Sequence, residues 1–251
     1  MMRILIFLTI FTLTSCTYLY KNDNDYPYNY QDTFTSQDYL NHLEGIANLF
    51  IENNKVKKPN QRSRRYLNKI AKELYLNNQG LFQKDDFGIN FYIVEDSRNF
   101  YFSLPKNNVF MSRGLLRNYM NSENIFVAVL LGELIRSKIG IYEKKKLIPL
   151  NSYTIDDMIR INNLNLNAKR DLNNLVYEVL IKSGYDPEAR LLWLQTLNRQ
   201  SISFSVQGVH SHELSKEEFL LKNYMVNSGE DENLIFEKNS SRQFYYFKES
   251  I

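Results

Sequence analysis

The 251 residues suit one compact domain with a short leader, and the composition is that of a globular protein rich in Asn, Lys, Ile and Tyr. A net charge of +3 is too small to point to nucleic acid as a partner. A single cysteine, Cys16, excludes an intramolecular disulfide framework, and its place in the leader excludes cysteine-based catalysis in the domain.

The chain starts Met1-Met2-Arg3, then runs apolar from Ile4 to Leu13, interrupted only by Thr9 and Thr12. That run is too short to span a bilayer as a stable helix. It ends in Leu13-Thr14-Ser15-Cys16, which resembles a bacterial lipoprotein signal peptide with its Leu-x-small-Cys lipobox. The resemblance implies a signal peptide over residues 1–15 and a lipid anchor on Cys16; an ordinary cleaved signal with an incidental cysteine is the alternative. A lipidated Cys16 would place the mature chain on an envelope membrane, facing the periplasm, and Thr17, which carries no acidic retention signal, favours the outer membrane. From Thr17 to Ser36 the chain is Asn, Asp and Tyr with almost no aliphatic residues, the composition of a flexible tether. Residues 37–251 remain for the folded domain.

Within that domain, apolar residues recur at helical spacing over Tyr39–Ile51 and Arg64–Leu76. The cation-rich run Lys55 to Arg65 between them reads as a solvated loop and helix start, or as a contact for anionic lipid. Ile89–Val94, Phe100–Ser103 and Val109–Ser112 read as strands, with Pro105 and Asn107-Asn108 marking a turn. Helices are expected over Arg113–Met120, Ser122–Lys138, Ile155–Asn162, Ala168–Ser183, Pro187–Arg199 and Glu217–Val226. Gly184 reads as a helix C-cap and Asp186-Pro187 as the next start. Phe244–Phe247 reads as a final strand or packed tail, and His210 and His212 as loop residues. The expected class is α+β, mostly helical with a small antiparallel or mixed sheet.

The segment Phe126–Lys138, FVAVLLGELIRSK, places one acid, Glu133, in an apolar helix. Taken alone, it is a core helix that happens to contain Gly-Glu. Its flanks add Phe102, Leu104 and Pro105, then Arg113-Gly114-Leu115-Leu116, and later Ser183-Gly184-Tyr185-Asp186-Pro187. In order and spacing, from about Asn90 to His212, these segments resemble the HtpX/Oma-type zinc metallopeptidases, including their periplasmic lipoprotein branch. The family's His-Glu-x-x-His helix maps onto Val127–Arg136. Glu133 then matches the general base that polarises the attacking water. The two histidine positions hold Gly132, which has no side chain, and Arg136, whose guanidinium has no lone pair to give. The family's third ligand, a Glu, maps onto Lys169, and the Asp four residues later onto Asn173. Its Thr-His-Pro segment maps onto Ser211-His212-Glu213, with Glu218 near the position of a following Arg. His212 alone is retained.

The resemblance therefore implies a zincin-like fold in a degenerate member that binds no metal, a pseudoprotease. Arg136 and Lys169 would stand in the place of the zinc and pair with Glu133 and Asp171. The expected role is a polypeptide-binding chaperone or adaptor in envelope proteostasis, with a protein client or assembly partner. The client would add a strand along Asn107, Asn108, Val109, Phe110, Met111 and Ser112, taken as a sheet edge. Two alternatives stay open: an active zinc endopeptidase with the atypical ligands His212, Asp171 and Glu133, and a purely structural lipoprotein.

Overall fold

The computed structural model describes residues 37–82, 88–142, 154–207, 211–228, 236 and 239–251. The expected signal peptide, Cys16, the tether over residues 16–36 and His210 lie outside the described residues. Four short strands form one mixed sheet: β1 (Val56–Lys57), β2 (Asn90–Val94), β3 (Tyr101–Leu104) and β4 (Asn108–Ser112), in the spatial order β1-β2-β4-β3. β1 runs antiparallel to β2, β2 parallel to β4 and β3 antiparallel to β4. Leu104 faces Asn108 across a tight turn in which Lys106 and Asn107 take left-handed backbone angles, φ 64° and 56°. Side chains brace that turn: Asn108 Nδ2 donates to the Pro105 carbonyl and Asn107 Nδ2 to that of Gly88.

Alternate strand residues enter two cores. Phe91, Ile93, Val109 and Met111 join one side. Tyr92, Val94, Phe102 and Phe110 join the other, where Phe50 meets the rings of Phe102 and Phe110 edge-on at 5.2 and 5.3 Å. A sheet covered on both faces needs no polar alternation, which is why β4 is buried at all five positions.

The helices are α1 (Gln37–Asn53), α2 (Gln61–Leu76), α3 (Arg113–Asn118), α4 (Glu123–Ile139), α5 (Ile155–Asn162), α6 (Leu166–Lys182), α7 (Glu188–Arg199), α8 (Ser211–Asn227) and α9 (Arg242–Glu249), with a 3-10 turn at Ser201–Gln207. Side-chain caps set several starts: Asn60 for α2, Ser112 for α3, Thr154 for α5, Asn165 for α6 and Ser241 for α9. Gly140 closes α4 at φ 74°, and Gly184 follows α6 at φ 75°. Helix α4 is the centre of the molecule. Every residue from Phe126 to Ile135 is buried, packed among α6, α7, β3 and β4. Each fully buried leucine there, such as Leu130, Leu131 or Leu134, contributes about 2 kcal/mol of transfer free energy.

The α+β architecture, mostly helical with a small mixed sheet, agrees with the sequence pattern. Besides β1, which forms where the sequence reads as a loop, and the 3-10 turn, which its pattern does not mark, three elements differ. The Phe244–Phe247 run is helix α9, because Ser241 caps its start and Phe244 and Phe247, three apart, bury one helical stripe. Helix α8 begins at Ser211, so His212 lies on a helix rather than in a loop. β4 is an interior strand, hydrogen-bonded to β2 on one side and β3 on the other.

Candidate functional site

Helices α4, α6, α7 and α8 bring polar side chains together beside the end of α5 and strand β3. From α4 come Gly132, Glu133 and Arg136. Glu133 is only 3% exposed. Arg136, one turn on, sets its Nε 3.6 Å from Glu133 Oε2. Those two atoms are buried and make no hydrogen bond to any described residue, so the pair is held by charge rather than by aligned donors. The Arg136 Nη1 group is hydrogen-bonded instead to Asn162, at its backbone carbonyl and at Oδ1.

Gly132 faces a second guanidinium. A Cβ at this position would lie 3.3 Å from Arg190 Nη1 and 3.7 Å from its Cζ. A larger side chain at Gly132 and the present place of Arg190 are therefore mutually exclusive. Arg190, from α7, is 6% exposed. Its Nε donates to Asn173 Oδ1 at 2.7 Å, and Asn173 Nδ2 donates to Glu217 Oε1 at 2.7 Å. The amide of Asn173 thus presents its oxygen to a cation and its nitrogen to an anion, which relays charge between α7 and α8.

Lys169 does not pair with Asp171. Its Nζ meets Glu213 Oε2 at 3.4 Å at the start of α8, while Asp171 is held by its neighbour Arg170 at 2.8 Å. Lys169 and Asp171 are two apart on α6, so they project on different sides of the helix. Glu218 turns toward Lys222 and Gln195, away from the cleft, and the Lys222 hydrogen bond draws its carboxyl below the usual range. Tyr101 of β3 closes the inner wall, and its hydroxyl accepts from Trp193 Nε1 at 3.1 Å. Burial pushes the Tyr101 hydroxyl pKa up; Arg190 and Arg136 pull it back and Glu133 adds to the rise, leaving a neutral phenol near neutral pH. The space enclosed is a cleft of about 70 Å³.

These residues do not fit a zinc ion. Gly132 offers no donor, Arg136 and Lys169 are cations, and both amide atoms of Asn173 are engaged. The alternative ligand set is not assembled either. His212 is exposed in the first turn of α8 and Asp171 is bound by Arg170. Among the described residues, no group of three or more His, Cys, Asp or Glu side chains is placed to hold a metal.

The expected binding strand is also corrected. Asn107, Asn108, Val109, Phe110, Met111 and Ser112 are all buried, and the Asn107 N–H donates to Ser137 Oγ of α4 at 2.8 Å. With both sides of β4 paired, no further strand can add there. The outer edge belongs to β3, where Asn162 Oδ1 accepts from the Ser103 N–H at 3.3 Å.

Four contributors escape a reading of the α4 motif: Tyr101, Asn162, Arg190 and Glu217. Arg190 left a signal. It falls on the buried stripe of α7 with Trp193, Leu194 and Leu197, where an arginine has to find partners. Comparison of the chain with protein-family models and with curated proteins returns no match.

Proposed function

We propose that this protein is an envelope lipoprotein whose zincin-like domain is a catalytically inactive relative of the HtpX/Oma-type metallopeptidases. It holds polypeptide as a chaperone or adaptor in protein quality control or assembly. The observation that carries the reading is the fate of Glu133. A general base needs a carboxylate open to a metal-bound water. Glu133 is buried and faces Arg136, while Arg190 occupies the side of the helix where Gly132 replaces a ligand. The scattering of His212 and Asp171 weighs against an active enzyme with atypical ligands. Client chains would approach at the cleft. Cys16 would carry the lipid anchor and residues 17–36 would act as the tether.

Three experiments test this. The purified protein should contain no stoichiometric zinc and cleave no casein-like substrate; activity lost both with a chelator and in Glu133→Gln would establish the enzyme instead. In-cell crosslinkers at Lys169 and Glu213, on the cleft rim, should trap protein clients. If they trap none while other surface positions do, the binding role is wrong. Cys16→Ala should release the protein from the membrane fraction or block its processing, and unchanged fractionation and mass would remove the anchor.

A further inference from the structure

We propose that the cleft between α6, α7 and α8 is a carboxylate-binding site, built for an acid that carries a short aliphatic group. The proposal goes beyond the polypeptide reading and stands without it. Its centre is Arg190. That side chain is 94% withdrawn from solvent by its 6% exposure, yet only its Nε has a hydrogen-bond acceptor among the described residues. Arg190 lines the cleft, and its Nη1, which packs beside Gly132, and Nη2 have no acceptor from any described residue. A buried guanidinium with its outer fork unanswered is costly unless an oxyanion or water meets it. The fork geometry, two parallel N–H groups on a planar cation, matches a carboxylate in bidentate fashion.

The charge balance agrees. Of the three cations that line the cleft, Arg136 is offset by Glu133 and Lys169 meets Glu213, which leaves Arg190 as the one whose outer fork meets no anion from the described residues. Glu217 is itself answered by Asn173, which holds it off the fork. The remaining walls select the rest of the ligand. Asn162, Asn163 and Tyr101 make one polar stretch of wall, and Ile159, Leu172, Leu194, Leu197 and Leu214 make an aliphatic one that suits a branched apolar tail. Two sources share this chemistry: a small branched-chain acid, and the carboxylate end of a polypeptide finishing in an aliphatic residue.

The chain has one tryptophan, and its indole N–H bonds the hydroxyl of cleft-lining Tyr101. The single indole resonance of the ¹⁵N-labelled full-length protein therefore reports on occupancy. It should be titrated with isovalerate, acetate, an N-acetylated tripeptide ending in leucine, and the amide of that peptide. At least one of isovalerate and the free-acid peptide should shift the indole signal saturably. Isovalerate should bind at least about tenfold tighter than acetate, because its branched tail reaches the aliphatic wall. The amidated peptide should bind at least about tenfold more weakly than the free acid. Arg190→Gln should abolish the response, and Arg190→Lys, which keeps the charge but loses the fork, should weaken it. If both Arg190 variants fail to melt cooperatively, Lys169→Gln at the rim should still weaken binding several-fold.

Response to isovalerate alone supports the carboxylate site and removes it from the polypeptide reading. Response to the free-acid peptide supports both. Equal response to the acid and amide peptides, saturable binding of acetate as tight as that of isovalerate, or no saturable shift up to about 10 mM of any acid overturns the proposal.

Discussion

Helix α4 carries two carboxylates ten residues apart, and their surroundings could hardly differ more. Glu123 stands in the first turn, where the helix dipole favours an anion. It accepts from Tyr66 Oη at 2.7 Å and Ser241 Oγ at 2.9 Å, with the Ser241 N–H as a third donor. Burial, reinforced by Glu123 itself, pushes the Tyr66 hydroxyl pKa far up, so that donor keeps its proton. Through these bonds Glu123 fastens the start of α9 to the core. Glu133 sits deeper, with Oε2 lacking any hydrogen bond from the described residues and one cation at 3.6 Å. One acid is placed where donors converge on it. The other is kept in a place not shaped for it and is neutralised by a neighbour. The contrast is between a carboxylate held by converging donors and one held by a counter-charge in the same helix.

Substitutions can break or sharpen this contrast. The largest effect is expected from Arg136→Ala, which leaves Glu133 buried without its counter-charge and should cost about 3 kcal/mol in denaturant melts. Glu123→Ala should cost somewhat less, about 2 kcal/mol, since Tyr66 and Ser241 lose a charged acceptor but half-buried Ser241 can turn to water. Its signature should be local: amide exchange in α9 rises before that in α4. Smaller again is the recovery in Arg136→Ala combined with Glu133→Gln, about 1 kcal/mol relative to Arg136→Ala alone. A double variant no more stable than the single would mean that the two groups do not interact. Gly132→Ala should change stability least, by less than about 0.5 kcal/mol, because better helix propensity offsets the 3.3 Å approach to Arg190 Nη1. The same change should nevertheless weaken the carboxylate response of the indole signal by displacing the fork.

How much of this was legible in the sequence depended on distance along the chain. Glu133 and Arg136 are three apart on a helix, so their pairing follows from spacing alone. The helix ends at Gly184 and the start near Pro187 followed from residue chemistry in the same way. Arg190 lies on another helix and reaches Gly132 only through the packing of α4 against α7. Lys169 went astray because register on α6 decides its neighbours, and α8 began earlier than its apolar pattern suggested. The place of β4 depended on strand order, which no local pattern fixes. Even so, its unbroken run Asn-Val-Phe-Met-Ser lacks the polar alternation of a half-exposed strand, and that was a readable sign of an interior position. Phe244–Phe247 was ambiguous because a short aromatic run suits either period; the Ser241 cap settles it as a helix.

The Asn162 side chain has one further consequence. A strand at the rim of a sheet, with outward-facing amides, is a template on which a second copy can stack and begin an aggregate. The Ser103 N–H points outward from β3, and Asn162 meets it with an amide oxygen fixed in place by Arg136 and by its own bond to Met158. β3 is buried at all four positions, Asn162 adds to that cover by occupying an outward amide, and the arginine that compensates Glu133 also holds Asn162 in position. Loss of Arg136 would then be felt twice, once as lowered stability and once as light scattering at high protein concentration.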